Sequence, residues 1–486
     1  GIEVKSGQFN NQQGLIQSAG DMAIDTHGHQ LDNRFTLNDK RNLGIISLGN
    51  FSLNSGQWEN MQGYLASQGT QNITLSGALN NTAGNINALA DSAITAISWN
   101  NSQGVFSSNG PFSLSLSGDL RGDNSRITSQ SAMQIDADTV SQNNQSLLHS
   151  DNHLVLNAKQ LNSTQNSEIS AQQADIQIQG SASNSQSRLL TQQALNIVSQ
   201  ALDNQNGIIA SLQNNISLNT RQQSLNNQDG KIDAKQTLTI QSGTLLNQRG
   251  LLQSGGDATL NTHGKLLNNE NTSTAAHATG IIALGKLSIN TALLSNQQGY
   301  IASQSEQSIT AETLDNREGW IQSDDAQRLE ATTINNRQGR VIAGQADIRA
   351  QILENTQGII STSQQLNVNV GQTLTNYQGK LVSGGEQTIN LNTLDNTQGT
   401  IGSQQAGVTI FADSTINNQQ GTILAQQDTR LTSQQLDNHD GAITALANLR
   451  IDTQQQALNN RQGKIIAGQS ATLLSGALDN QAGLIS

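Results

Sequence analysis

The chain has 486 residues, 34% of them hydrophobic and 2% aromatic, and a formal net charge of −12 from 24 basic and 36 acidic residues. The acidic balance and the lack of any basic run exclude a nucleic-acid partner, which needs a concentrated positive face. No apolar stretch is long enough to span a bilayer, and without cysteine there is neither a disulfide nor a thiolate metal site.

Such a composition suits a disordered segment when the apolar residues are scattered. Here they are phased. Seventeen times, from Asn11–Gly14 to Asn480–Gly483, an Asn-x-x-Gly carries one apolar residue two positions before the Asn and another two after the Gly. The period is about twenty residues, the mark of an architecture built by stacking repeats. Within a repeat, Leu and Asn fall on one side of an extended chain and the residue between them on the other. The apolar residue after Gly and the small residue beyond it alternate likewise, as in Ile16 and Ser18 or Val341 and Ala343. A further alternating run follows, such as Leu238-Thr239-Ile240 or Val368-Asn369-Val370. Three short strands and three corners per repeat predict an all-β solenoid, each repeat one coil of a parallel β-helix.

Gly is expected to supply the positive φ of a tight corner, and Asn to stack its amide on the Asn of the next coil. Asn204–Gly207, Asn316–Gly319, Asn396–Gly399 and Asn480–Gly483 are such corners. With strands about 4.8 Å apart, about twenty-three coils predict a rod on the order of 110 Å long. The lone Pro111 fits a chain whose amides are nearly all needed for sheet ladders.

Residues 1–104 read as regular coils with one insertion. After Leu31-Asp32-Asn33 the corner resumes at Gly44-Ile45-Ile46, with residues 34–43 between. Loops accept insertions cheaply, so a tolerated surface loop and a contact site both fit; Arg34, Lys40 and Arg41 are the contact candidates. Over 105–200 the coils degenerate and the Gly fades, with corners at Leu120-Arg121-Gly122-Asp123, Val140-Ser141-Gln142 and Leu161-Asn162-Ser163. Arg121-Gly122-Asp123 is a tripeptide that cell-adhesion receptors read in other proteins, and a corner would expose it. Residues 201–486 read as regular coils with a second insertion, 270–279, between Leu267-Asn268-Asn269 and Gly280-Ile281-Ile282. Both insertions are expected to project from the same edge. The residue after Gly points outward and is aromatic at Tyr64, Tyr300 and Trp320. Tyr300, Trp320 and Arg340 stand one coil apart, predicting an exposed aromatic–cationic ladder that pairs across strands or meets a sugar ring or partner.

Catalysis finds little support. His27 and His29 flank Gly28 with no third ligand at metal spacing. Asp324-Asp325, Glu312 with Glu318, and Asp437 with Asp440 are carboxylate pairs of the kind that β-helical polysaccharide-cleaving enzymes use, but they fill repeat positions held elsewhere by Gln or Asn. No phosphate loop or Ser/His/Asp arrangement is evident. The expectation is a non-enzyme with no cofactor, no metal site and no catalytic residue. Opening at Gly1-Ile2-Glu3 without Met or signal peptide, the chain reads as part of something longer.

Repeats such as Leu314-Asp315-Asn316-Arg317-Glu318-Gly319-Trp320-Ile321-Gln322-Ser323 and Leu436-Asp437-Asn438-His439-Asp440-Gly441-Ala442-Ile443 resemble filamentous haemagglutinin repeats. The likeness covers nearly the whole chain and is weakest over 105–200. It implies a right-handed β-helical filament of a large Gram-negative exoprotein, secreted to the cell surface through an outer-membrane two-partner-secretion transporter. The parent would be a haemagglutinin-like adhesin or a contact-dependent growth inhibition protein, with adhesive or toxic regions elsewhere and this segment as stalk. The alternatives are a module that binds a cell-surface receptor or glycan through the inserted loops, and a polysaccharide-degrading β-helix.

Overall fold

Period-two alternation dictates extended backbone, and the computed structural model consists of short strands throughout. It describes residues 1–37, 42–273 and 279–486, and these form two units, 1–242 and 243–486. Among the described residues there is no helix. In each unit a coil of about twenty residues supplies three strands, and each strand pairs in parallel with its counterpart one coil on. In the first unit Leu79 lies beside Trp99, Ile86 beside Phe106 and Ile94 beside Leu114. In the second, Leu394 lies beside Ile416, Ile401 beside Ile423 and Ile389 beside Ile410. Both units are parallel β-solenoids.

The core of each unit is a set of inward columns. Leu31, Trp58, Leu79, Trp99 and Leu120 make one in the first unit, all fully buried. Full burial of such a side chain contributes roughly 1.5–3 kcal/mol, and a single coil cannot achieve it alone. Where the column thickens, one coil fills its own cross-section. Trp99 meets Phe106 and Phe112 edge-on at 5.6 and 6.2 Å, and the two Phe rings are 4.1 Å apart. Outward positions are polar, giving alternations such as buried–exposed–buried over Gln71–Leu75.

The Asn ladder runs through the interior of each unit. Asn81 Nδ2 donates to Asn101 Oδ1 at 2.7 Å, and Asn316 Nδ2 to Asn336 Oδ1 at 2.7 Å. The same nitrogen also reaches the carbonyl of its own corner, as Asn316 does to Gly319 at 3.3 Å. These Asn are fully buried, so the ladder satisfies groups that would otherwise be costly.

The corner glycine has a different role from the one its spacing predicts. Positive φ falls on the residue before it: Asn206 at 53°, Glu318 at 54°, Gln398 at 55° and Ala482 at 57°, whereas Gly207, Gly319, Gly399 and Gly483 are not in the left-handed region. Glycine is needed because a side chain has no room. A Cβ on Gly207 would stand 2.5 Å from Asn204 Oδ1 and closer still to the Asn184 carbonyl oxygen. The Asn ladder itself excludes it.

Over 105–200 the coils persist with another corner. The place of Asn is taken by Gly122, Gln142 and Ser163, and that of Gly by Ser125, Ser146 and Ser167. The serines form their own chain: Ser125 N donates to Ser146 Oγ at 3.1 Å, Ser146 N to Ser167 Oγ at 3.2 Å and Ser167 N to Ser187 Oγ at 3.3 Å. The Asn ladder resumes from Asn184 to Asn204 at 2.8 Å.

Candidate functional site

The two insertion coils repeat one another in detail at a separation of 236 residues, Gly44 matching Gly280. In each, a threonine takes the corner-glycine position. Thr36 Oγ1 donates to Asn33 O at 3.0 Å and accepts from Tyr64 N at 2.9 Å. Thr272 Oγ1 makes the same bonds to Asn269 O and Tyr300 N, at 3.0 and 2.9 Å. The hydroxyl thus stands where a corner carbonyl normally accepts the next coil. Gly44 and Gly280 pair with Leu15 and Leu251, the outward residues after a corner, and hold φ of 111° and 117°. The insertions therefore follow closed corners, spanning 37–43 and 273–279, and do not interrupt the corner as the Asn–Gly spacing suggests. Lys40 and Arg41 lie outside the described residues.

Arg34 is committed within the protein. Its guanidinium bonds the Asp32 carboxylate, with Nη2 2.7 Å from Oδ2, and Gln12 Nε2 approaches the same oxygen at 2.5 Å. Burial opposes ionisation of Asp32, but the hydrogen bonds from Arg34 and Gln12 outweigh it and hold the carboxyl below its ordinary range.

The outward column in the second unit brings Gly280, Tyr300, Trp320 and Arg340 together. Tyr300 pairs with Trp320 and Trp320 with Arg340. The rings of Tyr300 and Trp320 meet edge-on at 6.0 Å, and Arg340 Cζ lies 5.6 Å from the Trp320 ring. Tyr300 is half-buried, and burial followed by the Asp324 charge raises its hydroxyl pKa. Because Thr272 binds the Tyr300 amide, the corner that precedes the second insertion adjoins the strip.

Arg121-Gly122-Asp123 ends the strand Leu120–Asp123 and leads into the Gly122–Ser125 corner, where Asn124 holds φ of 52°. Gly122 faces inward and is buried, while Arg121 and Asp123 are exposed.

Asp437 accepts from Gln419 at 2.7 Å and Asn459 at 2.9 Å, bonds that tie neighbouring coils. Among the described residues no group of three His, Cys, Asp or Glu could hold a metal.

One arrangement was invisible in the linear order. His149 Nδ1 lies 2.8 Å from Ser170 Oγ, and His149 Nε2 lies 2.7 Å from Asp151 Oδ1. A Ser–His–Asp chain is therefore present, assembled across one coil; its only signal is that positions 149 and 170 are equivalent in consecutive repeats. The chain lies on an open sheet face whose amides are engaged in the parallel ladder. Those amides are therefore not free to serve as the oxyanion donors that acyl transfer uses.

The family model described as haemagglutinin repeat matches residues 1–55, 27–83, 66–134, 210–270, 271–346, 341–410, 382–460 and 455–486. The stretch between these matches, 135–209, contains much of the serine-cornered region. No curated protein matches the chain. No solved structure matches it either.

Proposed function

The chain belongs to the haemagglutinin-repeat family, and from that premise we propose that it is a structural stalk segment of a large secreted or cell-surface bacterial exoprotein. The observation that carries the reading is the use of corner side chains as scaffold: corner Asn, Ser and Thr are spent on coil-to-coil bonds. In this reading an outer-membrane transporter of the two-partner-secretion type passes the chain unfolded, and adhesive or toxin-delivery regions lie elsewhere in the parent. Antibodies against the chain should label intact cells and the isolated chain should sediment with the friction of a long particle. Labelling only after permeabilisation, or the friction of a sphere, would overturn the proposal.

A second reading is favoured by the adjacency of the Thr272 corner and the aromatic strip: the surface around Thr272, Tyr300, Trp320 and Arg340 contacts a receptor on a target cell. Deleting 37–43 and 273–279 while keeping Thr36 and Thr272 should abolish cell binding and leave circular dichroism intact. Binding that survives these deletions and Trp320→Ala would remove it.

A further inference from the structure

In the second unit, six long strands, 307–315, 320–335, 340–354, 366–375, 387–395 and 408–417, run unbroken past the point where other coils turn. The inward residue at that point differs between the two kinds of coil in this unit. Thr262 and Thr453 close a turn by donating Oγ1 to Lys265 O at 3.0 Å and to Gln456 O at 2.8 Å. In the long strands that position is held by Ala331, Ala350, Val370 and Leu391, which have no hydroxyl to close such a turn. Along the outside of this bend runs an open groove. One bank carries Thr310, Glu330, Arg349, Asn369 and Asn390, in register coil by coil, and ends at Phe411, which is 41% exposed. Gln351 stands on the other bank.

We propose that this groove binds an extended oligosaccharide bearing acetamido groups. Five coil steps at about 4.8 Å give a groove on the order of 24 Å long, matched to a linear chain of sugars. A peptide cannot add to the sheet here, because the strand backbones are already engaged in the parallel ladder on both sides. Recognition is left to side chains, and the amides of Gln351, Asn369 and Asn390 both donate and accept, as an acetamido group does. Asn390 Nδ2 donates to Asn369 Oδ1 at 3.0 Å, which aligns the row, and Gln351 has no hydrogen-bond partner among the described residues. The charges on the bank are already neutralised, Glu330 by Arg328 at 2.7 Å and Arg349 by Asp347 at 3.0 Å. Asp413 also lines the groove, and its carboxylate disfavours an anionic polymer, which leaves an uncharged one. Phe411 offers a ring face to the C–H face of a sugar. The first unit bends likewise over 133–143, 147–163 and 168–178, but there Arg221 reaches in, donating to the carbonyls of Ile178 and Gln179 at 3.3 Å each.

The test is calorimetry of the intact chain with chitohexaose, a hexamer of N-acetylglucosamine, and with cellohexaose, which has the same backbone without acetamido groups. Chitohexaose should bind, and cellohexaose should bind about tenfold more weakly, the loss of one or two hydrogen bonds. The double variant N369A/N390A and the single variant F411A should each weaken chitohexaose about tenfold. These side chains are on the surface, so thermal unfolding should not change. No saturable binding of chitohexaose, equal binding of the two sugars, or affinity unaffected by both variants would overturn the proposal.

Discussion

Gly122 and Ser125 have traded side-chain volume: a Cβ on Gly122 would collide with Ser125 Oγ, whereas one coil earlier Asn101 is the large partner and Gly104 the bare one. The pair is therefore coupled. Gly122→Asn alone should destabilise the chain by about 1–3 kcal/mol through overpacking. Adding Ser125→Gly should recover most of that loss by rebuilding the Asn–Gly corner. A double-mutant cycle in urea measures the coupling, and strict additivity would show that the two positions do not share space.

Residues 357 and 358 separate two uses of glycine. Gln357 holds φ of 55°, and a Cβ on Gly358 would stand 2.5 Å from Asn355 Oδ1. Gly358→Ala should cost about 1–3 kcal/mol. Gln357→Gly should be close to neutral, since relief of about 1 kcal/mol of left-handed strain offsets the added chain entropy. Solenoids open locally, so amide exchange over 336–380 is the sensitive readout. A larger loss of protection in Gln357→Gly than in Gly358→Ala would contradict the steric account.

Asn376→Leu keeps approximate volume but breaks the amide ladder, which receives at 2.7 Å from Asn355 and donates at 2.7 Å to Asn396. An orphaned buried acceptor costs about 1–3 kcal/mol. Proteolysis should nick this variant near 376–396 first, and wild-type resistance there would argue that the ladder contributes little.

Asp32 gives the first insertion coil an acid-sensitive bond. Its folded-state pKa is below the unfolded value, so its contribution is present above about pH 3.9 and is lost as the pH falls through the depressed value. Amide protection over 31–36 should therefore drop in that acid range. Asp32→Asn should be less stable at neutral pH and insensitive to the same acidification. An identical acid response in the variant would assign the effect elsewhere.

The inward columns and the Asn ladder were legible because period-two alternation and a fixed repeat put equivalent residues at equivalent numbers. Glycine's role was misread since a left-handed turn and a steric ban on Cβ leave the same letter in the sequence. The serine corner was hidden because it divides one change between positions three apart, Gly122 and Ser125. The insertion boundary was shifted because Gly44 and Gly280 precede Ile-Ile as a corner glycine would, while Thr36 and Thr272 hold the actual corners. Ser170, His149 and Asp151 meet only once the coil length is known.

The amide rows also point one way. From Asn316 to Asn336, Asn336 to Asn355 and Asn355 to Asn376, each donor faces the later coil and each acceptor the earlier. The exposed Gln338, Gln357, Gln378 and Gln398 repeat the same orientation beside them. Each coil thus presents an oriented N–H toward the later coil and an oriented amide oxygen toward the earlier one, so the two ends of a row differ in what they offer. The carboxamide rows give the stack a polarity that its apolar columns do not carry.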